Sequence, residues 1–269
     1  MLELYHGTTS VCAQKVRLTL AEKGLEWQSH LLELNGDHLT PEYLQINPNG
    51  VVPTLVHDGT IIVESTVIIH YLDDLFPDPP LMPRAPLDRM RAHLFKKLMD
   101  EYIHPACIVY TFATANRGRF AGLSAEQRAE QYARMPLQRQ AEYKRAGVEE
   151  GIGSPAGKKA TKSFMKLLKW IEESTERSAW LASPDYSLAD IAAIPYMMRL
   201  EMLRLARLWD HKPGIAAWWE RAKARPSYEK AFTQWLRPQD WQRYEQMPDP
   251  WPDVSRNLAG SLIEELDGV

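Results

Sequence analysis

Three short stretches of this 269-residue chain carry residue types and spacings that could do chemistry. The first is Ser10. It follows Leu2-Glu3-Leu4-Tyr5-His6, a short alternating run of strand character, and the turn Gly7-Thr8-Thr9. Behind it Cys12, Val16 and Leu20 recur every four residues, as on one face of a helix. At a strand-to-helix junction the first backbone N–H groups are unpaired, and with the helix dipole they favour an anion. The Ser10 hydroxyl can hydrogen-bond a thiolate held there, or it can simply cap the helix. The second stretch is Val52-Pro53-Thr54. A proline entering a strand is confined to an edge or to the strand's first residue. The third is Glu64-Ser65-Thr66, which follows one strand and opens a second helix. There Glu64 can take the ammonium of an amino-acid head group, while Ser65 and the helix N–H groups take its carboxylate. The plainer use of the pair is again a cap.

These residues need elements to position them. Lys23 in the last turn and Gly24 just beyond it close the first helix. Trp27 to Leu34 is a second strand candidate, and Asn47-Pro48-Asn49-Gly50 is a turn. Thr54-Leu55-Val56 and Ile61-Ile62-Val63 flank an Asp58-Gly59 hairpin signal. A helix is predicted from Ser65 to Leu75. The order β-α-β, a poorly periodic segment, then β-β-α is thioredoxin-like. Phe76 to Pro86 holds five prolines, which no regular helix or inner strand tolerates, so it reads as a linker. Beyond it the period is 3.6, with helices predicted over 87–113, 124–146, 158–176, 187–206, 213–224 and 227–236. The stretch 114–157 is rich in Arg, Glu and Gln and reads as a solvated helix plus loop. The tail after Pro238 either folds back or dangles. The expected architecture is an α/β thioredoxin-like domain over 1–77, a linker over 78–87 and an all-α domain over 88–269.

Composition removes several function classes. Charged residues make up 25% and the net charge is −3, so no basic surplus points to nucleic acid or an anionic membrane. Two cysteines make no disulfide framework, and the eight histidines do not cluster with them at metal-ligand spacing. Met1 to Thr9 has neither a basic nor an apolar signal region, and no apolar run approaches the ~18 residues of a membrane span. A reducing, cytoplasmic setting is the default expectation. Gly151, Gly153 and Gly157 have the wrong spacing for a dinucleotide loop. At the thioredoxin motif position the chain reads Ser10-Val11-Cys12-Ala13, so C-x-x-C disulfide exchange is lost. Cys12 lies on the apolar stripe and reads as core.

In this order and spacing, Ser10-Val11-Cys12-Ala13, Asn47 to Pro53, and Val63-Glu64-Ser65-Thr66 resemble the glutathione transferase family. The resemblance extends to the helical half. Tyr186-Ser187-Leu188-Ala189-Asp190-Ile191 is similar to the family's folding motif, with Ser187 as cap, Asp190 reaching back and Tyr186 stapling onto Ile191. Ala224-Arg225-Pro226 is also typical. The resemblance implies a serine-type enzyme, theta- or zeta-like, whose subclass features are nearest to bacterial β-etherase-like and fungal relatives. Its co-substrate would be glutathione and its target a small hydrophobic electrophile, attacked in conjugation, ether cleavage or dehalogenation, a detoxification chemistry. By position, Ser10 would stabilise the thiolate, Val52 beside a cis Pro53 would pair with the cysteinyl backbone, and Glu64 and Ser65 would hold the γ-glutamyl end. His38 would grip the glycyl carboxylate. His6, Thr8 and Thr9 would floor the electrophile pocket, and Met99, Tyr102, Ile103 and Tyr110 would wall it. The resemblance also implies a homodimer, in which Asp100 would reach a glutathione ammonium across the interface. Two other readings stay open: a non-catalytic glutathione-binding regulator, and a thiol reductase working through Cys12.

Overall fold

The computed structural model describes the backbone of residues 1–267 and the side chains of residues 1–260. The last two positions of the expected helical domain lie outside the described residues. The chain opens with β1 (Leu2–His6), α1 (Val11–Glu22), β2 (Gln28–Leu31) and the short α2 (Pro41–Ile46). Then come β3 (Thr54–His57), β4 (Thr60–Ile62) and α3 (Ser65–Leu75). The four strands form one sheet in the order β2-β1-β3-β4. β1 runs parallel to β2 and antiparallel to β3, and β3 pairs antiparallel with β4. Strand alternation turns Leu2, Leu4 and His6 inward.

Between Leu75 and Pro86 there is no regular element, but the segment is tied down. Lys23 Nζ donates to Asp73 at 2.5 Å and to the carbonyls of Phe76 and Pro79 at 2.6 Å each. Asp73 in turn accepts from the backbone N–H groups of Leu81 and Met82 at 2.9 Å. The rest is helical: α4 (Pro86–Leu98), α5 (His104–Ala113), α6 (Ala125–Ala133), α7 (Gln138–Arg145), α8 (Pro155–Thr175) and α9 (Leu188–Met202). α10 (Pro213–Lys223), α11 (Pro226–Ala231), α12 (Pro238–Glu245) and α13 (Trp251–Asp267) complete it. The fold is thus a small α/β sheet domain followed by a helical one. Among the described residues no helix is long and apolar enough to cross a membrane.

α9 is the central pillar, buried along nearly its whole length. A reciprocal cap starts it: Ser187 accepts from Ala189 N–H, and Asp190 accepts from Ser187 N–H at 3.0 Å. Asp190 also accepts from Leu181 N–H at 3.0 Å and from the Trp218 indole at 2.9 Å. Tyr186 packs edge-on against Trp180 and lies under the Arg225 guanidinium, 4.0 Å from its ring centre. Arg225 also clamps Glu22 at the end of α1 through two bonds of 2.7 Å. The motif therefore fastens one domain to the other.

One expectation changes here, and one open alternative is resolved. The stretch 114–157 is not simply solvated: α6 and α7 bury Tyr132, Met135 and Ala141 in a small cluster of their own. The tail folds back, with Val254 fully buried and Asn257 donating to the Ile152 carbonyl at 2.9 Å and Thr161 Oγ1 at 3.0 Å.

Candidate active site

The loop between β1 and α1 is fixed before any ligand arrives. Arg17 is buried within α1 and donates to the carbonyls of Gly7 at 3.0 Å, Thr8 at 2.9 Å and Ala231 at 2.8 Å. Arg199, from α9, donates to the next carbonyl, that of Thr9. Ser10 then caps α1, its Oγ accepting from Ala13 N–H at 3.3 Å. The cap uses a lone pair, so the hydroxyl proton remains available to a ligand. The capping and chemical roles are therefore compatible.

Ser10 opens onto a cleft of about 390 Å³ between the two domains. Thr8, Thr9, His38, Val52, Pro53, Glu64 and Ser65 line the same cleft. The Val52–Pro53 peptide bond is cis. Val52 spends neither its N–H nor its C=O on a backbone partner among the described residues. Glu64 holds φ 69° and ψ 109°, a conformation a non-glycine residue adopts only under constraint. Its side chain makes no capping bond, which leaves an exposed acid beside the unpaired N–H groups that open α3. Asp100 also lines the cleft, and is held by Lys15 Nζ at 3.1 Å and Thr66 Oγ1 at 3.0 Å.

His38 sits on a short 3-10 turn, with Nδ1 3.5 Å from Asp37 but not hydrogen-bonded to it. Burial, and then the Lys144 charge, hold its imidazole below the usual range. Its ring lines the cleft, with Lys144 and Arg119 supplying the local positive charge.

Five expected electrophile contacts are placed elsewhere. His6 is fully buried, bonded to Ser29 Oγ at 2.8 Å and Arg17 at 3.0 Å, and set edge-on between Trp27 and Trp235. Burial and the Arg17 charge push its pKa down to about 3. Met99 and Ile103 are fully buried in the core. Tyr102 is exposed and stacks under Lys166, 4.7 Å from its ring centre. Tyr110 turns to α8, where its hydroxyl meets Thr161 Oγ1 at 2.6 Å and its ring packs on Phe164. A π-helical turn spans Met99–Ile103, and the residues that reach the cleft sit one position beyond Met99, Ile103 and Tyr110, at Asp100, His104 and Thr111. The cleft is walled instead by Asp100, His104, Cys107, Ile108, Thr111 and Phe112.

Cys12 is part of this site rather than of the core. Its Sγ lies 3.6 Å from His104 Nδ1. Burial alone would raise its pKa, but the His104 charge and hydrogen bond, aided by Lys15 and Ser65, bring it down to about 7. The pair joins a thiol in the first turn of α1 to a histidine that begins α5, 92 positions apart and in no shared motif. Leu137, Gln140 and Lys144 close the cleft from the 114–157 stretch, and Arg199 and Arg243 from α9 and α12.

A roomier hollow of about 870 Å³ lies against the tail around Met247 to Asp249, and shares Arg119 and Arg243 with the cleft. It contains none of Ser10, Cys12, Glu64 or Ser65, so the smaller cleft is the candidate site. Among the described residues no group of His, Cys, Asp and Glu is arranged to hold a metal.

Comparison with known proteins agrees with the fold. The glutathione S-transferase N-terminal domain model matches residues 9–75 and the C-terminal domain model matches residues 130–226, together more than half of the chain. Glutathione S-transferase TCHQD of Arabidopsis thaliana is 26% identical over 93% of this chain and 96% of its own length. The tetrachloro-p-hydroquinone reductive dehalogenase of Sphingobium chlorophenolicum is 27% identical over 86% of this chain and 95% of its own. The crystal structure of the β-etherase LigF from Sphingobium sp. strain SYK-6 superposes with a TM-score of 0.77 at 27% identity, covering 87% of this chain and 99% of that one. Both halves match in order and over nearly the full length of each relative, and the chain belongs to the glutathione S-transferase family.

Proposed function

We propose that this transferase binds its co-substrate glutathione along Val52, Glu64 and Ser65, activates the thiol at Ser10 and delivers it to an electrophilic carbon held against the α5 wall. The observation that carries this reading is the Ser10 hydroxyl, free to donate at the start of α1 and sharing one cleft with Glu64 and Ser65. The thiol proton leaves to solvent. The thiolate then forms the S–C bond while a halide or aryloxide departs, or adds where no group leaves. A free thiol has a pKa of about 8.5. Lowering it to about 6.5 corresponds to about 2.7 kcal/mol, shared between the Ser10 hydrogen bond and the unpaired N–H groups and dipole of α1. The enzyme acts as a two-fold homodimer, a state that light scattering reads directly.

Ser10→Ala tests the reading. The ultraviolet thiolate signal of bound glutathione should titrate about one unit higher or more, and turnover at neutral pH should fall roughly tenfold per unit. Activity should partly return at alkaline pH, where solvent deprotonates the thiol. An unshifted titration with full activity makes Ser10 a cap only. Bound glutathione with no turnover across a broad electrophile panel leaves a glutathione-binding regulator.

The Cys12–His104 pair favours a second reading, thiol reduction. Cys12 thiolate would attack a glutathionylated thiol and expel it, and a glutathione thiolate would then resolve the mixed disulfide as glutathione disulfide. Cys12 alkylation should rise through a midpoint near pH 7. His104→Phe should move that midpoint up toward the ordinary thiol value of about 8.5, because the neighbouring imidazolium that favours thiolate is gone. Undiminished disulfide turnover in Cys12→Ser removes this reading.

A further inference from the structure

The far side of the cleft holds more positive charge than glutathione needs. Arg199 is 5% exposed, lines the cleft, and has no carboxylate within ion-pair distance among the described residues. Its Nη1 donates to Thr111 Oγ1 at 2.7 Å and its Nη2 to the Thr9 carbonyl, while its Nε has no protein partner. Arg243 approaches the same residue from α12, donating to Thr9 Oγ1 at 2.7 Å and to Asn116 Oδ1 at 3.3 Å. Its Nε is likewise buried and without a protein partner. The two guanidinium carbons lie 5.6 Å and 5.4 Å from the centre of one ring, that of Tyr244.

The acids nearby do not balance this. Asp240 meets Arg243 at 3.2 Å but also meets Arg237 at 3.1 Å, and Glu33 is taken by Arg237. One buried guanidinium is therefore left over beside Thr9, one residue from Ser10. A buried charge without a partner is unfavourable, and two like charges around one ring add to that. A planar guanidinium matches a carboxylate in geometry as well as charge. Lys144 and Arg119 lie around His38, Arg119 also within reach of the Arg243 charge, and are the cations available to the glycyl carboxylate of glutathione.

We propose that Arg199 and Arg243 receive a carboxylate carried by the electrophile, so that this transferase selects carboxylate-bearing electrophiles. The proposal rests on the reading that glutathione is activated at Ser10, which places the electrophile next to Thr9. It also revises the expected target: the pocket is part apolar, through Ile108 and Phe112, and part cationic.

The test is a matched pair, a chloronitrobenzoate and the corresponding chloronitrobenzamide, with each kcat/KM divided by the uncatalysed rate with glutathione. The native enzyme should favour the benzoate by about tenfold or more, the scale of one charge-assisted contact. The preference should reside in KM, weaken with added salt, collapse toward unity in Arg199→Met and Arg243→Met, and return in part in Arg199→Lys. Arg243 is partly exposed, so its variant preserves the test if Arg199→Met does not fold. No benzoate preference in the native enzyme, or an unaltered preference in both methionine variants, overturns the proposal. Calorimetry of nitrobenzoate against nitrobenzamide on the glutathione-loaded protein separates the two readings. Benzoate-selective binding that Arg199→Met abolishes keeps the carboxylate site even if no electrophile is turned over. Equal binding of both overturns the site whatever the turnover.

Discussion

The proposed glutathione wall of the cleft is built from backbone groups and from residues at the starts of two helices, Ser10 on α1 and Glu64-Ser65 on α3. The facing wall is built from side chains that meet across the whole chain, Arg199 reaching Thr9 over 190 positions and Arg243 over 234. A wall made of helix starts survives many substitutions, because any sequence that forms those helices presents the same N–H groups. A wall made of distant side chains depends on every helix that carries one. On the proposed reading, recognition of the shared co-substrate is a local property of the chain, and choice of electrophile a tertiary one.

Three substitutions probe that contrast, in falling order of effect. Asp190→Ala should damage the tertiary wall most, because it leaves the N–H groups of Leu181 and Ser187 and the Trp218 indole unpaired where α9 begins. Urea unfolding should show a loss of about 3 kcal/mol or more. A loss under about 1 kcal/mol would mean that α9 does not depend on its cap. Glu64→Gln acts on the local wall alone. Glutathione affinity by calorimetry should fall by about 1.5–3 kcal/mol, with the stability of the fold unchanged. Unaltered affinity would take Glu64 out of the head-group site. Glu64→Gly has the smallest expected effect and the most specific one. It should raise thermal stability slightly, by about 1 kcal/mol or less, since glycine accepts a positive φ without strain, while weakening glutathione binding as Gln does. Lower stability would show that the acid is not held there against its own preference.

The same contrast explains what could be read from the residues in order. β1, α1, α3 and the Ser187/Asp190 cap follow from patterns a few residues long, and the structure has all of them. Strand alternation puts His6 on the side of Leu2 and Leu4, away from the pocket floor that the resemblance implied for it. The electrophile wall is not legible, because Met99, Ile103 and Tyr110 and their successors Asp100, His104 and Thr111 share the same helical spacing, and packing alone decides which row faces the cleft. Cys12 was assigned to the core because it shares a stripe with Val16 and Leu20, yet the first turn of α1 is where that stripe emerges into the cleft. Arg199 leaves one trace, a cation near the end of a largely apolar helix that is buried along nearly its whole length. Such a residue must find acceptors in the interior, and which acceptors it finds is decided by the packing alone.

The three successive carbonyls of Gly7, Thr8 and Thr9 are gripped by guanidinium groups from opposite halves of the molecule, Arg17 from the first and Arg199 from the second. Arg17 also reaches into the second half, to the carbonyl of Ala231. The proline-rich segment therefore marks a boundary in topology and not in autonomy. Severed there, the sheet domain would keep its serine but lose part of the frame that aims it. Its buried arginine would be left without one of its acceptors, and His6 without the Trp235 ring that covers it. Neither half is an interchangeable part: grafting a different helical domain onto this sheet would mean rebuilding the loop before Ser10 as well as the pocket beyond it.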